Sequence, residues 1–237
     1  MSYILIVFTL GFLILVHELG HLLGAKLAGI PVDRFSVGFG PSFFRRTIKE
    51  TEYRVSVVPL GGYVLPRIEG EKSYLEASLR QKLPFTLAGP AANFAAALLC
   101  LSVMQAIGSG ISFTNIFIAP LIQLVDMAGR ILAVIPTLFD QPDQLSGVVG
   151  IVAVGGQKVG TDVGRWLSFC VLVNVNLAIF NLLPLPPLDG GKIVQFFLEA
   201  ICKPAARLQI PIAVTGWILI IALLIYATIL DVRQLIM

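Results

Sequence analysis

The residues Tyr3–Ala28, YILIVFTLGFLILVHELGHLLGAKLA, decide how this chain is read. A membrane-spanning helix needs about 20 mainly apolar residues, and this stretch has them. It also carries His17, Glu18 and His21. Ionisable groups at membrane depth are costly and mark function by default. The stretch does not read as a signal peptide, since it has no basic leading segment and no small-residue cleavage site. In a helix, residues four apart lie on one face. The HExxH spacing therefore lets two imidazoles hold one metal ion while Glu18 reaches a water beside it. These are the only two histidines among 237 residues.

The composition agrees with a membrane setting. Apolar residues make up 57% and charged residues 13%, with a mean hydropathy of +0.88. A soluble domain carries about 25% charge, so too few polar side chains remain here to clothe a water-facing surface. A net charge of +3 gives no case for nucleic acid as a partner. Cys100, Cys170 and Cys202 are odd in number and far apart, which suits neither a disulfide framework nor a CxxC site.

Three further stretches qualify as spans: Phe85–Ile107, Trp166–Leu185 and Ile210–Leu230. In Ile116–Phe139, Gln123, Asp126, Arg130 and Thr137 share one helical face, with Pro120 and Pro136 as bounds. That pattern predicts an interfacial amphipathic helix over Pro120–Pro136 in preference to a fifth span, with a helix packed in the bundle as the alternative. Between the first two spans, Pro31–Arg67 alternates, carries β-branched residues and is punctuated by Gly61-Gly62, which predicts short strands. The expected fold is an all-α polytopic membrane protein of about four transmembrane helices, forming a single domain over 1–237.

Charge predicts orientation. Ten of the 17 basic residues lie between Lys26 and Lys82, and Lys192, Lys203 and Arg207 fall on the same side in a four-span arrangement. The positive-inside rule makes that side cytoplasmic and puts both termini outside. His17 then lies roughly 21 Å into the membrane from Tyr3, in the cytoplasmic third, level with the end of the third span.

A catalytic zinc site needs a third protein ligand and one open position. With no histidine left, the three cysteines are possible and Asp189 in Asn181–Gly191, NLLPLPPLDGG, is the better candidate. Locally, Asp189 reads equally well as the N-cap of a helix beginning at about Gly190. The same residues also allow a second function, a membrane metal-binding protein or transporter that performs no hydrolysis. Spans two and four hold no Asp, Glu or His to extend a transport path, which weighs against it.

Taken together, HELGH, PLGGYV at Pro59–Val64, GPAAN at Gly89–Asn93 and NLLPLPPLDGG resemble the site-2 protease family of intramembrane zinc metalloproteases. The likeness is greatest to the bacterial regulator-of-sigma-E protease branch. The resemblance implies Zn2+ held by His17, His21 and Asp189, Glu18 as general base, and Asn181 assisting the substrate carbonyl. It further implies a β-loop that pairs with unwound substrate, transmembrane proteins as substrates, and a place in a bacterial cytoplasmic (inner) membrane with the site near the cytoplasmic face. The chain departs from that branch in having no insert long enough for a PDZ domain.

Overall fold

The computed structural model describes residues 2–69, 73–137, 147–160, 162–202 and 209–236. Lys72, Lys203 and Arg207, counted in the charge argument, lie outside the described residues. The elements run α1 (Ser2–Ala28), β1 (Val32–Ile48), β2 (Thr51–Pro66), α2 (Leu79–Ser109) and a π-helical turn (Thr114–Ile118) leading into α3 (Ala119–Val134). They continue through α4 (Val148–Val159), α5 (Val163–Leu182), α6 (Asp189–Ile201) and α7 (Gln209–Ile236).

Helices α1 and α2 form the central pair, and small residues are what let them approach. A Cβ added at Gly24 would stand 2.6 Å from Ala88 Cβ, and one at Gly20 would stand 2.7 Å from Ala92 Cβ. Gly20 and Gly24 are four apart on α1 and meet Ala88 and Ala92, also four apart, on α2. In lipid, where apolar helices gain nothing by leaving solvent, close packing of small faces of this kind drives association. Gln81 fixes the ends: its Oε1 accepts from Ser78 N, and its Nε2 donates to Ala28 O at 3.1 Å.

The two strands fold into a small sheet beside this pair. The first part of β1 pairs antiparallel with the end of β2, as in Phe35↔Val64 and Val37↔Gly62. Its other edge meets residues 52–55 with both numbers rising together, Arg34↔Glu52 to Val37↔Val55. Ile30, Val32 and Phe35 bury against Leu22, Ala25 and Phe85. The sheet is thereby anchored on the end of α1 that carries the histidines.

Among the described residues, five helices are long and apolar enough to cross a membrane, one more than the four expected: Tyr3–Ala28, Leu79–Ser109, Thr114–Val134, Val163–Leu182 and Pro211–Arg233. The additional one contains the segment expected to be interfacial. Its polar face is as read, with Asp126 and Arg130 paired at 2.9 Å and exposed. Its opposite face, however, packs Leu124, Met127, Ala128 and Ile131 into a cluster with Ala97 and Leu101 of α2 and Val171, Val175 and Ile179 of α5. One apolar stripe of the helix is thus packed against protein, while Leu121, Ile122, Val125 and Leu132 remain exposed. Residues 138–146, which include the end of the stretch to Phe139, lie outside the described residues.

Candidate metal centre

His17 and His21 project from α1 toward α2 and α6, and both are 6% exposed. His21 Nδ1 lies 2.9 Å from Phe85 O. A carbonyl can only accept, so Nδ1 carries the proton and Nε2 presents a lone pair. That lone pair points at His17 Nε2, 3.0 Å away, and at Asp189 Oδ2, 3.1 Å away, while His17 Nε2 stands 3.2 Å from the same oxygen. Nitrogen and oxygen ligands at about 2.0–2.2 Å in a tetrahedral zinc site stand roughly 3.3–3.5 Å apart. The triangle of 3.0, 3.1 and 3.2 Å is close to one face of such a tetrahedron. The donor set of two neutral imidazoles and a carboxylate suits zinc. Among the described residues, this is the only group of three such side chains able to share an ion.

Asp189 owes its place to a backbone lock. It is the first residue of α6, and Leu188 rather than Asp189 holds the N-cap position. The side chain is therefore free to turn into the site, and the N-cap alternative does not describe it. An added Cβ at Gly191 would meet Leu185 at 2.6 Å, and one at Gly190 would meet Leu182, so the two glycines press α6 against the segment that leaves α5. Gly216 of α7 abuts Pro186 from the other side. Lys192, one turn on, donates from Nζ to Asp189 Oδ1 at 3.0 Å. Burial opposes ionisation of Asp189, and the adjacent Lys192 ammonium favours the carboxylate that a metal ligand requires.

Lys192 enters the sequence reading only through its charge, although its i,i+3 spacing from Asp189 is a readable signal of contact. Gly89 was quoted only as part of GPAAN. A Cβ there would stand 2.6 Å from His21 Cε1 and 2.8 Å from His17 Nε2, and closer still to His21 Nε2. The residue must be bare for the imidazoles to sit where they do.

Glu18 is half-buried, and its Cγ would be 3.1 Å from a Cβ added at Gly62 of β2. The sheet thus lies directly against the glutamate. Asn181 is on the last turn of α5, and its Nδ2 donates to Leu177 O at 2.9 Å. It makes no hydrogen bond to the three clustered side chains. Asn93 is fully buried, and neither its Nδ2 nor its Oδ1 has a protein partner.

Comparison with known proteins gives this geometry a family. The sequence profile of Peptidase family M50 matches residues 5–225. The chain belongs to peptidase family M50. It is a zinc metalloendopeptidase of the site-2 protease type and an integral membrane protein. A relative in Fusobacterium nucleatum, named a candidate zinc metalloprotease, is 26% identical over 344 aligned positions that take in 99% of each chain. Since this chain has 237 residues, that relative carries a long stretch with no counterpart here. A similarly named protein of Clostridium perfringens is 26% identical over 93% of this chain and 95% of its own. Protease RseP of Yersinia pestis is 39% identical over 110 residues, 42% of this chain and 24% of RseP.

Proposed function

We propose that this peptidase cleaves peptide bonds within or next to transmembrane segments of other membrane proteins, from a site near the cytoplasmic face of a bacterial inner membrane. His17, His21 and Asp189 hold zinc, Glu18 is the general base and Asn181 assists the carbonyl. The observation that carries this reading is the buried convergence of His17, His21 and Asp189 at the end of a membrane helix, with Glu18 between the histidines and a strand laid against it.

Zinc would supply the charge that makes a water nucleophilic at neutral pH and polarises the scissile carbonyl. The rest falls to the protein. The Glu18 carboxylate takes the proton from the attacking water and delivers it to the leaving nitrogen. The second N–H of the Asn181 amide, which its bond to Leu177 O leaves over, is available to the oxygen on which charge develops. A helical substrate must unwind before its carbonyl is reachable, and its freed backbone groups then need partners. The sheet beside Glu18 supports β-addition as the source of those partners.

The absence of further metal-ligating clusters among the described residues favours hydrolysis over transport. Glu18→Gln decides between them. With a purified transmembrane substrate, the variant keeps its zinc and loses cleavage by a factor of about 10²–10⁴. Cleavage within a few-fold of the unsubstituted protein would refute the assignment.

A further inference from the structure

A cavity of about 1230 Å³ lies away from the metal centre, between α1, α4, α5 and α7. Its walls include Leu10 and Ile14 of α1, Ile151 and Val154 of α4, Leu172 of α5 and Leu224 of α7. The polar residues that line it turn their donors inward to their own helices: Ser168 Oγ to Gly164 O, Asn176 Nδ2 to Leu172 O, and Thr228 Oγ1 to Leu224 O. A space walled in this way offers water too few partners to hold it, and it suits hydrocarbon.

One end of the cavity is different. Lys158, near the end of α4, and Arg165, in the first turn of α5, both line it. Among the described residues no carboxylate is within ion-pair distance of either. Arg165 Nη1 donates to Lys158 O at 3.4 Å, and the nearby Asp162 side chain is used on Arg165 N, where it caps α5. Both cations therefore face this end of the cavity without a salt-bridge partner among the described residues. Arg165 precedes Asn181 by 16 residues of continuous helix, roughly 24 Å at about 1.5 Å per residue. In a hydrocarbon layer about 30 Å thick this puts the cations at headgroup depth, on the side opposite the metal centre.

The wall formed by α4 is tied in place. Asp231 of α7 is buried and accepts from Gly147 N at 3.2 Å and Gly150 N at 2.8 Å, at the start of α4. The cavity is thus bounded on that side by a hydrogen-bonded helix pair.

We propose that this cavity is a phospholipid site, in which Lys158 and Arg165 hold the headgroup phosphate and the acyl chains lie along α5. The phosphate sits with the two cations, and the chains fill a space walled mainly by apolar side chains. At the inner end the cavity reaches Phe180, near the end of α5. The site does not depend on the catalytic reading.

The test uses the full chain, purified from membranes in mild detergent and taken through detergent exchange, with retained phospholipid quantified by mass spectrometry. The unsubstituted protein keeps phospholipid, and the double variant Lys158→Glu/Arg165→Glu keeps roughly 30-fold less. Lys158→Arg/Arg165→Lys retains it. Val154→Trp, which fills the space without touching the cations, also loses it. Zinc content and thermal unfolding show that each variant is folded. A second arm needs no variant: short-chain phosphatidylglycerol displaces the retained lipid, whereas inorganic phosphate does not. The proposal is overturned if no phospholipid is retained, if charge reversal leaves retention unchanged, or if inorganic phosphate competes as well as the short-chain lipid. It is equally overturned if a photocrosslinker at Leu172 captures a transmembrane peptide in place of lipid.

Discussion

Gly89→Ala adds one methyl group where the two imidazoles converge. The 2.8 Å between the new Cβ and His17 Nε2 would have to open to the 3.4 Å of ordinary contact, a movement of about 0.6 Å, and His21 would have to move further. A metal site tolerates about 0.2 Å in its ligand distances. Nor can α2 withdraw cheaply, because retreat breaks the His21 Nδ1–Phe85 O bond of 2.9 Å and opens the Gly20–Ala92 contact. Overpacking of this kind costs about 1–3 kcal/mol, and disturbing the support of a ligating histidine costs about 10–100-fold in metal affinity. We therefore expect zinc affinity to fall about 100-fold or more, measured as zinc per chain after dialysis against buffered free zinc. The unsubstituted protein should lose thermal stability in chelator, while Gly89→Ala should respond little. Gly108→Ala is the control on the same helix, since a Cβ there meets nothing within 4 Å. A Gly89→Ala protein that binds one zinc with unchanged affinity would refute the reasoning.

Three other substitutions probe separate parts of the site. Lys192→Met removes the partner of Asp189 Oδ1; zinc affinity should drop about 10–100-fold and be partly restored by Lys192→Arg, as read by chelator competition. Gly62→Val pushes into Ser36 O and the Glu18 side chain, so cleavage should fall steeply while zinc content holds; loss of both together would mean that the sheet supports the metal rather than the substrate. Asp231→Ala leaves the first amides of α4 without their acceptor and should destabilise the protein by about 1–3 kcal/mol, with zinc binding intact; an unchanged unfolding temperature would contradict the bonds to Gly147 and Gly150.

Much of this site was legible before any coordinates, because HExxH chemistry is local. Two histidines four apart need only a helix to face one way, and the apolar run supplied it. Asp189 was legible only as a choice, since an aspartate before a helix reads equally as a cap. The choice turned on the Gly190 and Gly191 contacts, which belong to packing between segments. Gly20 and Gly24 were obscured by the motif that surrounds them, although their spacing is itself a packing signal. For α3 the pattern correctly located an apolar face, but periodicity cannot say whether lipid or another helix covers it. Leu124 and Ile131 found Val171 and Val175, some forty residues away in sequence, and only the fold brings them together.

The side chains of the proposed zinc site lie far apart in the chain, Asp189 coming 168 positions after His21. Synthesis proceeds from the N-terminus, so a nascent chain carries both histidines and Glu18 into the bilayer long before its aspartate exists. With its proposed third ligand missing, the chain should be inert toward its neighbours during that interval. A product that stops short of residue 189 stays so permanently, however well α1 and α2 have paired. Activity is thereby delayed until most of the chain has been made, a safeguard against proteolysis by half-built enzyme that follows from the order of the residues alone.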